Sequence, residues 1–208
     1  MSETGPDRAA AEELDPEEVA RANLYGLVSR LFYGPADPNL LAEISRSGPE
    51  AGQENEGALA ASWRGLQEAC RSANPAVVRQ EHDSLFVGVG RAAVTPYLSS
   101  YAEPSGPDRY LVRLREQLAA RQLARRNNVF EVEDHISGVS DVMRCLIEGQ
   151  HTLAEQRQFF ETFVLPGAIP FCDAVQHAPS AHFYKSVGQL ARAFFEVERA
   201  AFDMTDSA

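Results

Sequence analysis

The chain has 208 residues, 44% of them apolar, with a formal charge of −11 at neutral pH; that is enough apolar content for one sizeable core. The negative charge excludes nucleic acid as a partner, since phosphate binding runs through Lys and Arg, and makes a cationic partner the better match. Cys70, Cys145 and Cys172 are odd in number and far apart, so neither a disulfide framework nor a paired Cys-x-x-Cys site is on offer, and a reducing cytoplasm is the expected home.

The opening segment MSETGPDRAAAEELDPEE is acidic and lacks the apolar centre of a secretory leader. No run anywhere is apolar enough to cross a bilayer. The expectation is a soluble chain with no membrane span that carries no export signal of its own. Residues 1–15 read as a disordered acidic arm, too poor in large apolar groups to offset the entropy of ordering. The folded domain is expected over 16–205.

Helical periodicity then dominates. DPEEVARANLYGLVSRLFYG offers Asp15 as N-cap, Pro16 at the first helical position, and Val19, Leu24, Leu27, Val28 and Leu31 at three-to-four spacing. That predicts a helix ending near Gly34-Pro35. PNLLAEIS predicts a short second helix and SGPEAGQENEG a loop. Leu59, Trp63, Leu66 and Ala69/Cys70 define a third helix, and the Asn74-Pro75 pair starts a fourth. GVGRAAVTPYLSSYAEPSGPDRY interrupts the pattern with Gly and Pro yet keeps tyrosines, which marks a long ordered loop.

The next helix turns Leu111, Leu114, Leu118 and Leu123 inward and Arg113, Arg115, Arg121, Arg125 and Arg126 outward, a solvated basic face. After an Asn127-Asn128 turn, Ile136, Val139, Met143, Leu146 and Ile147 form another apolar stripe, and three more helices complete the chain. Nothing alternates with a strand period, so the expected class is all-α, a bundle of about eight to ten helices. Its N-terminal part, 16–126, and C-terminal part, 129–205, are expected to join through a long loop or hinge.

NNVFEVEDHISGV gathers Glu131, Glu133, Asp134 and His135 just ahead of an apolar helix. As a metal site the spacing is poor: residues 134 and 135 project about 100° apart at a helix start, and no His or Glu partner follows on the same face. No metal is expected. Acid–base catalysis would need a nucleophile, a phosphate loop or a Gly-rich dinucleotide turn nearby, and none is present, so neither an enzyme nor a bound cofactor is expected. Glu133 or Asp134 would serve as an N-cap favoured by the helix dipole, but that leaves His135 and the tyrosine loop unexplained.

EVEDHI, between a long helix and an apolar one, resembles the E-P-x-D-H signature of the TorD/DmsD/NarJ family of cytoplasmic molybdoenzyme chaperones. PYLSSY, residues 96–101, is similar to that family's tyrosine-x-serine-x-tyrosine loop. LYGLVSRLFYGP, EHDSLFVG, QRQFFETFVLP and FYKSVGQLARAFFEVE fall in the matching order, so the resemblance covers roughly residues 18–203. Two departures stand out: Val132 replaces the signature proline, and LPGAIP replaces a segment that carries tryptophan in the family.

The resemblance implies a TorD-like helical chaperone with a groove between its two parts. It would bind the twin-arginine signal peptide, the apo form, or both, of the catalytic subunit of a molybdopterin oxidoreductase until the cofactor is inserted, before export where the client is exported. Tyr97, Ser99 and Tyr101 would line the groove, with Glu131, Asp134 and His135 flanking it. The chaperone would be a monomer or a domain-swapped homodimer. Two other classes fit the residues: a nucleotide- or small-molecule-binding helical enzyme, its arginine helix meeting an anion, and a structural assembly subunit with Phe194, Phe195 and Phe202 at a permanent interface.

Overall fold

The structure is a computed structural model, which describes residues 14–47, 57–88, 92–121, 123 and 132–205. The acidic arm up to residue 13, most of the SGPEAGQENEG loop, Arg125, Arg126, the Asn127-Asn128 turn and Glu131 lie outside the described residues. Among those described, regular structure is helical apart from one isolated bridge. The all-α class is therefore correct.

The helix starts follow their caps. α1 (Pro16–Tyr33) begins where the Asp15 carboxylate accepts the Glu17 N–H at 2.9 Å and Pro16 takes the first position, and it stops at Gly34. α2 (Pro38–Arg46) and α4 (Pro75–His82) repeat the device with Asp37 and Asn74. α3 (Ala58–Ser72) lies between them. α5 (Ser99–Ala102) is a single turn inside the tyrosine loop, and α6 (Pro107–Ala120) ends sooner than its arginine run predicts. α7 (Ile136–Glu148), α8 (Leu153–Phe159), α9 (Leu165–His177) and α10 (Phe183–Thr205) complete the bundle.

Two π-helical stretches were not predictable from apolar spacing. Asp83–Val87 extends α4 and closes with the Gly88 N–H on the Asp83 carbonyl at 2.8 Å. Gly88 has φ 59°, a left-handed backbone that glycine adopts without steric cost. Phe160–Val164 bridges α8 to α9 just ahead of Pro166. Pro166 offers no N–H, and its ring would crowd a carbonyl one turn back, so a widened turn lets the helix run on.

One core takes residues from both parts of the chain. α1 packs chiefly on α7, and α10 on α9 and α3. Gln156, beyond the end of α7, accepts a hydrogen bond from Arg21 near the start of α1 at 3.1 Å, so α1 and α7 run antiparallel. Phe32 meets Phe171 edge-on at 5.0 Å and Phe86 at 5.8 Å, and Tyr184 closes the same aromatic nest. All five predicted inward positions of α7 are fully buried. α1 is rotated from expectation: Val19 is 41% exposed, while Ala22, Tyr25 and Phe32 point inward with Val28 and Leu31. Phe194, Phe195 and Phe202 are likewise interior, which removes the residues on which a permanent assembly interface was to be built.

Two buried carboxylates tie distant segments together. Glu198 of α10 accepts two hydrogen bonds from the Arg21 guanidinium, both at 2.8 Å, and one from the Tyr25 hydroxyl at 2.9 Å. Burial by itself would lower the Arg21 pKa, but Glu198 and Glu18 together hold it above its ordinary value. Glu81 of α4 accepts the backbone N–H groups of His182, Phe183 and Tyr184 at 2.8–3.1 Å, so a side chain a hundred residues away caps α10.

Candidate functional site

The two unusual sequence segments meet. Tyr97 and His135 form an antiparallel bridge flanked by two backbone hydrogen bonds, Leu98 N–H to the Asp134 carbonyl and Ile136 N–H to the Pro96 carbonyl, each at 2.9 Å. In such a non-hydrogen-bonded pair the side chains lie close together, and the Tyr97 and His135 rings pack edge-to-face at 5.6 Å.

Asp134 points into the protein and is 2% exposed. Its Oδ2 accepts from the Ser99 hydroxyl and, at 3.3 Å, from the Ser99 N–H. His135, 3% exposed, turns Nδ1 onto the Ser137 N–H at 3.2 Å and thereby caps α7. That hydrogen bond places the proton of a neutral imidazole on Nε2. The cap is thus His135 and not the Glu133 or Asp134 that charge alone favours, because Asp134 is drawn across to Ser99. Glu133 pairs instead with Arg115 of α6 at 3.0 Å.

Both tyrosines of the loop are half-buried. Tyr101 donates its hydroxyl to the Thr95 carbonyl at 3.0 Å and packs on Phe171, and burial raises its pKa to about 12. The departing LPGAIP segment has a packing role here. A Cβ on Gly167 would come within 2.7 Å of Leu98, so glycine lets the loop press directly on α9. Of the expected site residues, Tyr97, Ser99, Asp134 and His135 form one junction, Tyr101 sits beside it, and Glu131 lies outside the described residues.

Asparagine at position 134 keeps an acceptor but loses the charge on a buried hydrogen bond. Asp134→Asn is expected to cost roughly 1–2 kcal/mol. A urea melt reads this as a lower midpoint at unchanged slope.

Next to this junction lies a groove of about 880 Å³, bounded by α1, α2, α3, α6 and α7. Leu40, Ile44, Trp63, Leu118, Leu123 and Val132 make much of its wall apolar. Its ionic lining is acidic on balance: Glu43, Glu133, Asp141 and Glu148 against Arg30 and Arg144. The groove does not involve Tyr97 or Tyr101, but Ser137 and Gly138, in the first turn of α7, are part of it. The Asp134–Ser99 and His135 contacts therefore fix the start of a helix that forms one wall.

Trp63, Leu118 and Leu123 belong to the predicted inward stripes, which gave no sign that they look onto a groove. Asp141 and Glu148 are seven apart on α7 and so share one outward face, with Arg144 and Cys145 between them. That spacing was visible in the sequence, though nothing in it said what the face looks onto. Among the described residues no three His, Cys, Asp or Glu side chains converge as a metal site would require, and no helix is long and apolar enough to cross a membrane.

No curated protein matches the sequence. Among solved structures, an Archaeoglobus fulgidus protein described as a redox enzyme maturation protein is similar, with TM-score 0.56 at 18% identity over 91% of this chain and 99% of that one. At that identity the likeness concerns the fold. The profile of the nitrate reductase delta subunit family matches residues 53–173, from before α3 to within α9, in agreement with the nitrate reductase side of the motif resemblance. With more than half its length matched, the chain belongs to the nitrate reductase delta subunit family.

Proposed function

We propose that this protein is a non-catalytic maturation chaperone of the cytoplasm. Its client is the catalytic subunit of a molybdopterin oxidoreductase, held through a twin-arginine signal peptide, the apo enzyme body, or both, while cofactor is inserted. Family membership supports the maturation role, and the Tyr-x-Ser-x-Tyr and Asp-His segments extend the reading toward TorD and DmsD. The groove carries it. An apolar wall next to an acidic rim suits a peptide in which a basic pair precedes an apolar stretch. The net charge of −11 favours the encounter with such a peptide.

In this reading the signature residues serve the groove from behind. Asp134 and Ser99 clamp the tyrosine loop to the start of α7, His135 caps that helix, and Tyr97 packs on the imidazole. Glu133, at the variable position of the signature, lines the groove at the start of α7, where Arg115 pairs with it. Arginine forms charge-assisted, bidentate hydrogen bonds with carboxylates that lysine does not reproduce.

Calorimetric titration with a twin-arginine signal peptide and with its two-lysine variant tests the reading. Tighter binding of the arginine form by about tenfold is expected, with affinity falling as salt rises. Equal affinity for the two, or none for either, would remove the signal peptide as a ligand.

A further inference from the structure

Arg144 is the one cation of α7 that lines the groove, and it is held by the two acids of the same helix face. Its Nε lies 3.3 Å from Asp141 Oδ1 and its Nη1 lies 3.7 Å from Glu148 Oε1. All three side chains are partly open to solvent, and exposed pairs at this helical spacing are weak. The fit is also imperfect. Nε is buried, yet its contact with Asp141 lacks hydrogen-bonding geometry, so the donor has no hydrogen-bond partner. The stem of Arg144 lies over Gly26 of α1, where a Cβ would come within 3.2 Å of Cδ. The absent side chain at position 26 leaves room for the arginine.

We propose that Arg144 is a built-in competitor: it occupies the Asp141–Glu148 pair in the empty groove and yields it to an incoming arginine of the client. The inference rests on the groove being the client's seat, and it adds both the end that takes the basic residues and the reason affinity is held down. The antiparallel packing of α1 and α7 puts Glu148 beside the first half of α1, with Ala22 and Asn23. Arg30 meets Glu43 at 4.0 Å and Arg115 meets Glu133 at 3.0 Å, which puts α2, the α3 packed on it, and α6 toward the other end, with Tyr33 and the start of α7. A bound peptide therefore runs with its basic pair at the end of α7 and its apolar stretch toward Trp63 and Leu118. Residual charge at Asp141 and Glu148 would set a preference for arginine that Arg144 moderates, so binding stays reversible when the client must leave.

The test titrates the full chain with two probes, arginyl-arginine amide and an apolar peptide carrying an arginine pair. Arg144→Gln is expected to bind the amide about three- to fivefold more tightly than the wild type, the size two exposed helix pairs would give. Arg144→Met, which keeps the stem over Gly26, should show the same gain, and Arg144→Lys should not. Adding Asp141→Asn and Glu148→Gln to Arg144→Gln should abolish it. Unchanged or weaker amide binding in both Arg144→Gln and Arg144→Met overturns the proposal, as does a gain that survives removal of the two acids. The longer peptide reports on the chaperone reading separately. If the wild type ignores it while Arg144→Gln still gains on the amide, the client is wrong and the competitor stands.

Discussion

Replacing Glu198 with alanine is expected to lower the unfolding free energy by about 3–5 kcal/mol, because Arg21 would be left mostly buried without its bidentate partner. For a chain of this size that is a fall in Tm on the order of 10 °C. The Tyr25 hydroxyl, deep in the core, would lose its acceptor as well. The loss belongs to a buried cation left with only Glu18 and Gln156 on one nitrogen, and not to the worth of the pair. Changing Arg21 to Met and Glu198 to Leu together should therefore recover most of it. A double replacement as unstable as the single one would show that shape, and not stranded charge, sets the cost.

Glu81→Ala is the second large effect, roughly 3 kcal/mol. Three backbone N–H groups at the start of α10 would lose their common acceptor inside the protein, and each orphaned donor carries a desolvation cost. Glu81→Gln should fall between, since one amide oxygen serves fewer donors than a carboxylate. Amide exchange provides the check: protection at Phe183 and Tyr184 should drop further than protection in α7. Uniform loss across both helices would mean that Glu81 supports the whole core and not this helix end.

Neither carboxylate was legible in the sequence, and the reason is physical. A local signal exists when a residue acts on neighbours within a turn or two, as with Asp15-Pro16, Asn74-Pro75 and the apolar repeat of α7, all of which were read correctly. Glu81 acts at a separation of about a hundred residues and Glu198 at 177, where spacing carries no information. Val19 was misplaced for a related reason. Its apolar side chain fits the helical period, but the face was decided by Tyr25 and Phe32, which have aromatic partners on α9 and α10.

The candidate site divides the same way. Motif resemblance singled out Tyr97, Ser99, Asp134 and His135, which the fold does bring together. The resemblance implied that Asp134 flanks the groove, whereas Asp134 is buried against Ser99 and stabilises the loop junction. Of the acids that line the groove, Glu133 belonged to the cluster singled out in the sequence, while Asp141 and Glu148 stood in plain view at a spacing of seven but had no partner element to give them meaning until α1 and α7 were seen packed together.

The central claim is that the client's peptide lies in the groove next to the Asp134–Ser99 junction. Trp63, the single tryptophan of the chain, is part of that groove's wall and is partly exposed, so its emission reports occupancy directly. Titration with a twin-arginine signal peptide free of tryptophan should shift Trp63 emission to shorter wavelength as its surroundings dry, with the same midpoint as the calorimetric isotherm. Heat of binding without any change in Trp63 emission would place the peptide elsewhere on the molecule and contradict the account.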